Sequence, residues 1–253
     1  FVICCGAFGV LGLYYYFSHT PKFQVDSSIM LRTSDSDQGF MNAELLSLMG
    51  MGSMKQTEDE VAILTSRDIL YQVIKELDLQ TEYRKKVGLR WVGQYPKHDL
   101  DVVYPELFLD TTNTGARISV KVRKNDYLVE VKTKRFHKSR HKVTDLTETI
   151  STCAGDIRFA VNSKLEVGDS YTMVTMPKLS AINAYKTRIT AAPMKKESNI
   201  INISTVTDMP RLAIDFINRE IELYNMDAVV DKNIMATNTA TFIEERLRLI
   251  EME

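Results

Sequence analysis

The chain has 253 residues, with 32 Lys and Arg against 33 Asp and Glu and a formal net charge of -1, a near balance ordinary for globular material. Of its three cysteines only Cys153 follows Cys4 and Cys5, which excludes an intrachain disulfide framework and a thiolate metal cage beyond the first residues. The roughly 230 residues after position 20 suffice for a sizeable core in one domain with an appendage.

FVICCGAFGVLGLYYYF, residues 1–17, contains no charge, and as a helix it reaches about 25 Å, the short end for crossing a bilayer. It lacks the basic leader and small-residue cleavage site of an export signal. Cys4 and Cys5 do not read as a lipid-attachment site, because the chain stays apolar for a dozen residues beyond them. Tyr14, Tyr15 and Tyr16 cluster before Ser18, His19 and Pro21, where amphipathic rings favour the membrane–water boundary. The stretch predicts a transmembrane helix over residues 1–18, truncated at its start; the alternative is a buried core helix.

Three regions follow in sequence order. FQVDSSIMLRT (23–33) predicts a strand, and the segment to Gln56 a glycine- and methionine-rich loop. Its GMGSMK resembles a phosphate loop only loosely, since the glycine before Lys55 and the Ser or Thr after it are replaced by Met54 and Gln56. TEDEVAILTSRDILYQVIKELDL (57–79) predicts one helix, opened by a Thr57–Glu60 capping box and carrying Val61, Leu64, Leu70, Val73, Ile74 and Leu77 on its apolar face. From about 106 to 176 the period shifts to two, in ELFLD, ARISVKVR, YLVEVKT, DIRFAV and YTMVTM, with a turn at Asn125-Asp126; this is antiparallel-rich. A short helix over LSAINAYKTRI and a strand over NIINISTV come next.

From Asp208, with Pro210 in the first turn, no glycine or proline interrupts the chain again, and the pattern predicts a helix of roughly 60 Å. Leu212, Ala213, Phe216, Ile217, Ile221 and Tyr224 form its first apolar stripe, whereas Asp231 to Thr241 is polar and small. A helix with so weak a stripe needs support from another helix or subunit. The fold class is therefore α+β: a mixed or antiparallel sheet packed with helices, an N-terminal anchor at 1–18, a base domain at 21–207, and a long helix at 208–253 truncated at its end.

Residues with the look of chemistry are few. His137 and His141 stand four apart, a metal-binding spacing only on a helix, and they lie in the basic, loop-like run KTKRFHKSRHK (132–142). That run reads as a solvated hairpin tip, or else as an electrostatic attractor of acidic sugars or anionic headgroups. Nucleic acid is disfavoured for want of stacking aromatics. The carboxylate pairs Glu244 with Glu245 and Asp99 with Asp101 sit in exposed contexts that give no reason for split pKa values. Trp91 and Tyr95 are of the kind that stack on sugar rings, although burial of the lone tryptophan is the plainer expectation. Cys153 has no identifiable histidine partner. The reading is of no catalytic, cofactor-binding or metal residue.

The order of elements resembles the Wzz-type polysaccharide chain-length determinants and the membrane-spanning module of bacterial tyrosine autokinases. The marks that carry it are Glu60, Leu64, Ser66, Leu70, Val73 and Leu77 in the first helix, and Asp208, Pro210, Ala213 and Asn218 where the long helix begins. The extended middle is more like the kinase-fused versions than the shorter stand-alone regulators. The resemblance implies an inner-membrane protein with its α/β domain in the periplasm. It implies a homo-oligomeric ring that sets the length of O-antigen, capsule or exopolysaccharide. Its partners would be the bilayer, the polymerase or export machinery and the polysaccharide itself, with no nucleic acid and no cofactor. The alternative function is an extracytoplasmic sensor domain controlling a cytoplasmic tyrosine kinase.

Overall fold

The computed structural model describes residues 2–31, 52–104, 114–134, 137–195 and 198–251. They form two compact units: residues 1–27, 74–190 and 203–215, and residues 28–73, 191–202 and 216–253. Helix α1 is Val2–Ser18 and strand β1 is Phe23–Met30. Helix α2 is Gly52–Leu64 and α3 is Arg67–Glu76. Nine strands follow: β2 (Thr81–Val87), β3 (Arg90–Gly93), β4 (Leu100–Val103), β5 (Ala116–Val122), β6 (Tyr127–Lys134), β7 (His137–Val143), β8 (Ile150–Thr152), β9 (Gly155–Val161) and β10 (Ser170–Thr175). Helix α4 (Lys178–Lys186), β11 (Ile189–Pro193), β12 (Ile200–Thr207) and helix α5 (Pro210–Glu251) complete the chain.

In the first unit, a six-stranded sheet runs in the order β3-β2-β10-β5-β6-β7, with antiparallel pairing throughout. A second sheet has the order β4-β9-β8. Alternation in ARISVKV puts Ala116, Ile118, Val120 and Val122 on one side, all buried, and Arg117 and Lys121 on the other, both exposed. The buried side joins Tyr83, Val129, Val131, Tyr171 and Met173 from the large sheet to Leu100, Ile157 and Phe159 from the small one in a single core. The period-two region is thus a pair of packed sheets, and the cover for the large sheet's apolar face is another sheet. A third sheet has the order β1-β12-β11.

In the second unit, the expected single helix over 57–79 is two. It starts five residues earlier, at Gly52, so Thr57 lies inside α2 and buried, and the Thr57–Glu60 capping box is not formed. The break falls at Thr65-Ser66, where the Thr65 hydroxyl donates to the Val61 carbonyl and Ser66 Oγ accepts from the Ile69 amide at 3.4 Å. Serine competes for the backbone and caps a new helix, with Asp68 in its first turn. Leu64, Ile69, Leu70 and Val73 are buried as the periodicity demands. Gly50 and the rest of the glycine-rich segment before Gly52 lie outside the described residues, as does ELFLD; Lys55 belongs to α2.

The long helix is observed over Pro210–Glu251, 42 residues. Pro210 stands at its first position, where no amide partner is needed, while the Asp208 carboxylate pairs with Arg84 at 3.6 Å. Ile118→Ala should destabilise the first unit by about 2–5 kcal/mol, whereas Arg117→Ala, one residue away on the opposite face, should change it by less than about 0.5 kcal/mol. Urea unfolding of both variants checks this; equal losses would contradict the two-sided reading of β5.

Candidate functional site

The described apolar side chains of α1 from Phe8 on are not core residues. Phe8, Leu11, Leu13 and Tyr14 to Phe17 are each more than half exposed, and so is Val10. Among the described residues of the first unit, the Arg90 side chain holds the end of this helix. Arg90 of β3 donates through Nε to the Phe17 carbonyl at 2.8 Å and through Nη2 to the Tyr16 carbonyl at 2.6 Å, with its guanidinium over the Tyr16 ring. A cation on the last carbonyls satisfies orphan acceptors and opposes the negative end of the helix dipole. At 17 residues α1 falls short of a span: among the described residues no helix is long and apolar enough to cross a membrane.

The residues singled out for chemistry are dispersed. His137 and His141 both lie on β7, where four residues span about 13 Å, too far to share an ion. Of the basic run, residues 132–134 are the end of β6 and 137–142 belong to β7, the strand at the edge of the large sheet, while 135 and 136 lie outside the described residues. Among the described residues no group of three or more His, Cys, Asp or Glu is placed to hold a metal ion. Cys153 is exposed after β8; its Sγ accepts from Ser139 Oγ at 3.5 Å and lies 3.5 Å from the Val131 carbonyl, with no imidazole among these contacts.

Asp99 and Asp101 belong to separate ion networks. Burial opposes ionisation of Asp99, yet hydrogen bonds from Ser163, Gln94 and Lys85 hold its carboxyl below the usual range. Lys85 also reaches Asp169 at 3.0 Å, and the Tyr171 hydroxyl donates to Asp169 at 2.9 Å. Asp101 accepts from Asn162 Nδ2 at 2.6 Å through Oδ2, and its Oδ1 lies 2.7 Å from His98 Nδ1. Each carboxylate is occupied by a structural partner. Glu244 and Glu245 are exposed neighbours on α5, and adjacent helix residues do not face each other. Trp91 is 38 % exposed on β3, contrary to its expected burial. Tyr95 is half-buried, its hydroxyl pKa raised by burial and by the Asp215 carboxylate.

Two features of α5 emerge with the structure. The first is Glu220, which takes a position in the apolar stripe with Phe216, Ile217, Leu223 and Tyr224. It has no exposure, and neither carboxylate oxygen has a hydrogen-bond partner among the described residues. Burial pushes its carboxyl up to about 8. One turn on, the Tyr224 hydroxyl donates to Glu60 of α2 at 2.7 Å. Stripe spacing alone, 213–217–220–224, marks Glu220 as inward. Ile221, expected in the stripe, is only half-buried.

The second feature is a seam beyond Tyr224. Met226, Val229, Asn233, Ala236, Ala240, Ile243, Leu247 and Ile250 recur at alternating steps of three and four, a heptad pattern over about 37 Å. All eight are exposed, the large ones by 51 to 68 %. An uncovered seam of this period is the surface that a second helix fills by interdigitation, and a single Asn within it fixes register.

Residues 1–77, which comprise α1 to α3 with β1, match the family model described as "Wzz: Chain length determinant protein". The resemblance to the chain-length determinants is thereby shown over that segment. Across 254 aligned residues the chain is 22% identical to a Klebsiella pneumoniae protein named "Putative tyrosine-protein kinase in cps region", covering 96% of this chain and 34% of that protein. The chain thus spans about a third of that relative's length.

The burial of Glu220 sets a pH dependence. Its folded-state pKa lies above its unfolded value, so its contribution is fully present below the unfolded pKa near 4.5 and is lost as pH rises through about 8. Thermal melts from pH 5 to 8 should show stability falling with pH, and Glu220→Leu should flatten the profile and raise the melting temperature at pH 8. An unchanged slope in the variant would mean that Glu220 is not the group responsible.

Proposed function

We propose that this chain is the extracytoplasmic part, with α1 at the membrane, of an inner-membrane protein that regulates the length of a surface polysaccharide, acting as an oligomeric scaffold and not as a catalyst. The observation that carries the reading is the match of residues 1–77 to the chain-length determinant model. The Klebsiella relative, named for a cps region, supports the same field of action. The exposed apolar surface of α1, closed by a belt of three tyrosines, supports a role at the bilayer, where such rings settle at the interface.

The mechanism is geometric. Lipid-linked sugars are polymerised at the membrane, α1 fixes the folded units beside it, and the heptad seam of α5 joins neighbouring subunits into a ring. Length control follows from how many growing chains or polymerase molecules the assembly holds together. Burial of each large seam residue stabilises the contact by about 1.5–3 kcal/mol.

A second reading is favoured by the name of the Klebsiella relative: the chain is the external regulatory module of a membrane tyrosine kinase. Both roles fit one polypeptide, and a Walker motif beyond a second span in the full reading frame would establish the kinase form.

Val229→Glu with Leu247→Glu places charge at two seam positions without touching buried side chains. In the full-length protein the pair should dissolve the oligomer, seen by mass photometry in mild detergent, and shorten or broaden the polymer ladder of the producing cells. An intact oligomer with an unchanged ladder would sink the scaffold reading.

A further inference from the structure

The outward face of β5, β6 and β7 is charged to a degree that an exposed sheet does not require. Its nine positions hold Arg117, Lys121, Lys132, Lys138, Arg140 and Lys142 against one carboxylate, Glu130. Glu130 is already clamped, by Lys138 at 2.7 Å and Arg140 at 3.1 Å, and these two cations hold its carboxyl below the usual range. For Arg117, Lys121, Lys132 and Lys142 no ion pair is formed among the described residues.

The arrangement costs stability. Arg117 stands directly opposite Lys132, and Lys132 directly opposite Lys138, so three cations form one row across three neighbouring strands. Directly opposed side chains have their Cβ atoms about 4.5–5.5 Å apart, and like charges there are destabilising. Lysines on an edge strand guard against sheet-to-sheet aggregation, which accounts for β7. It does not account for Arg117 and Lys121, which lie two strands in from that edge. Beside the row, Arg117, Lys132, Thr133 and Ser180 line an open groove of about 490 Å³, with Val174 and Pro177 on its apolar side.

We propose that this face, with its groove, binds an acidic polysaccharide; the assignment rests on the chain-length reading for the identity of the polymer. A linear uronic-acid chain presents carboxylates at regular intervals along a flexible backbone, matching a face on which Arg117, Lys121, Lys132 and Lys142 carry no carboxylate partner among the described residues, and its ring faces suit the small apolar wall of the groove. Among the described residues none of the large exposed apolar side chains lies on β5, β6 or β7, and Leu128, opposite Lys121 and Lys142, is only half-exposed, so the described face lacks the residues that insert into a bilayer. It lacks stacking aromatics for single-stranded nucleic acid as well.

The test uses the full-length protein in non-ionic detergent and a fluorescent oligogalacturonate, read by anisotropy at low salt. Arg117→Glu with Lys132→Glu should weaken binding about tenfold or more, whereas Lys97→Glu with Lys164→Glu, the same charge change on exposed residues off this face, should leave it within about twofold. Unlabelled oligogalacturonate should compete, and neutral dextran, a DNA oligomer and a short-chain phosphatidylglycerol should not. The proposal is overturned by equal weakening in both charge-reversed pairs, by unchanged binding in the first, by the absence of binding to the wild type, or by competition from lipid or DNA equal to that of the polyuronate. Complementation of a deletion strain by the wild type separates the two claims: a restored polymer ladder with no oligogalacturonate binding would refute this face and leave the chain-length reading standing.

Discussion

The strict two-residue alternation of β5, β6 and β10 is the constraint from which the rest of the first unit follows. Side chains of a strand point to opposite faces by turns, so a sequence such as ARISVKV must sort Ile118, Val120 and Val122 into one layer and Arg117, Ser119 and Lys121 into the other. The apolar layer has no stable alternative to burial, and the small sheet supplies its cover with Leu100, Ile157 and Phe159. A slip of one residue would bury the cations. Register, core and the charged outer face are therefore one fact about the sequence, and the ion networks of Lys85, Asp99 and Asp169 sit where the polar end of the core layer needs partners.

Helix α5 changes its task along its length. Its first four turns present Leu212, Ala213, Phe216, Ile217, Leu223 and Tyr224 as buried residues, with Glu220 admitted among them at a cost in desolvation. After Tyr224 no described side chain of the helix is buried, yet Met226, Val229, Ile243, Leu247 and Ile250 continue on a heptad period, with Val230, Ile234 and Phe242 exposed beside it. A polar helix would need no partner; this one carries Ile243, Leu247 and Ile250 into solvent. The change from packed stripe to open seam is what makes an assembly role physically sensible, because helical stability comes chiefly from packing of an amphipathic face.

Much of this was legible from periodicity. The strands β5, β6, β9, β10 and β12 and the helices α4 and α5 stand where period and turn chemistry put them. The misses have particular causes. Thr57 and Glu60 satisfy a capping pattern, but tertiary burial of Thr57 and helix formation from Gly52 override it. Ser66 looked like one more helical residue and is a cap. The run KTKRFHKSRHK lacks apolar alternation and so read as loop; its described residues are strand because β6 pairs with β7 in register from Tyr127 with Val143 to Lys132 with Lys138, and again at Lys134 with His137. Weak stripes hid the α5 seam, since Asn233, Ala236 and Ala240 are small or polar and only their spacing, 3-4-3-4, joins them to Met226 and Ile250.

The most direct test of assembly through that seam is disulfide crosslinking in native membranes. With Cys4, Cys5 and Cys153 replaced by Ser in the full-length protein, single cysteines are placed at Ala236 or Ala240 on the seam and at Asp231 on the opposite side of the helix. Oxidation should join subunits through positions 236 and 240 and leave 231 unjoined. Efficient crosslinking at 231 with none at the seam positions would contradict the account.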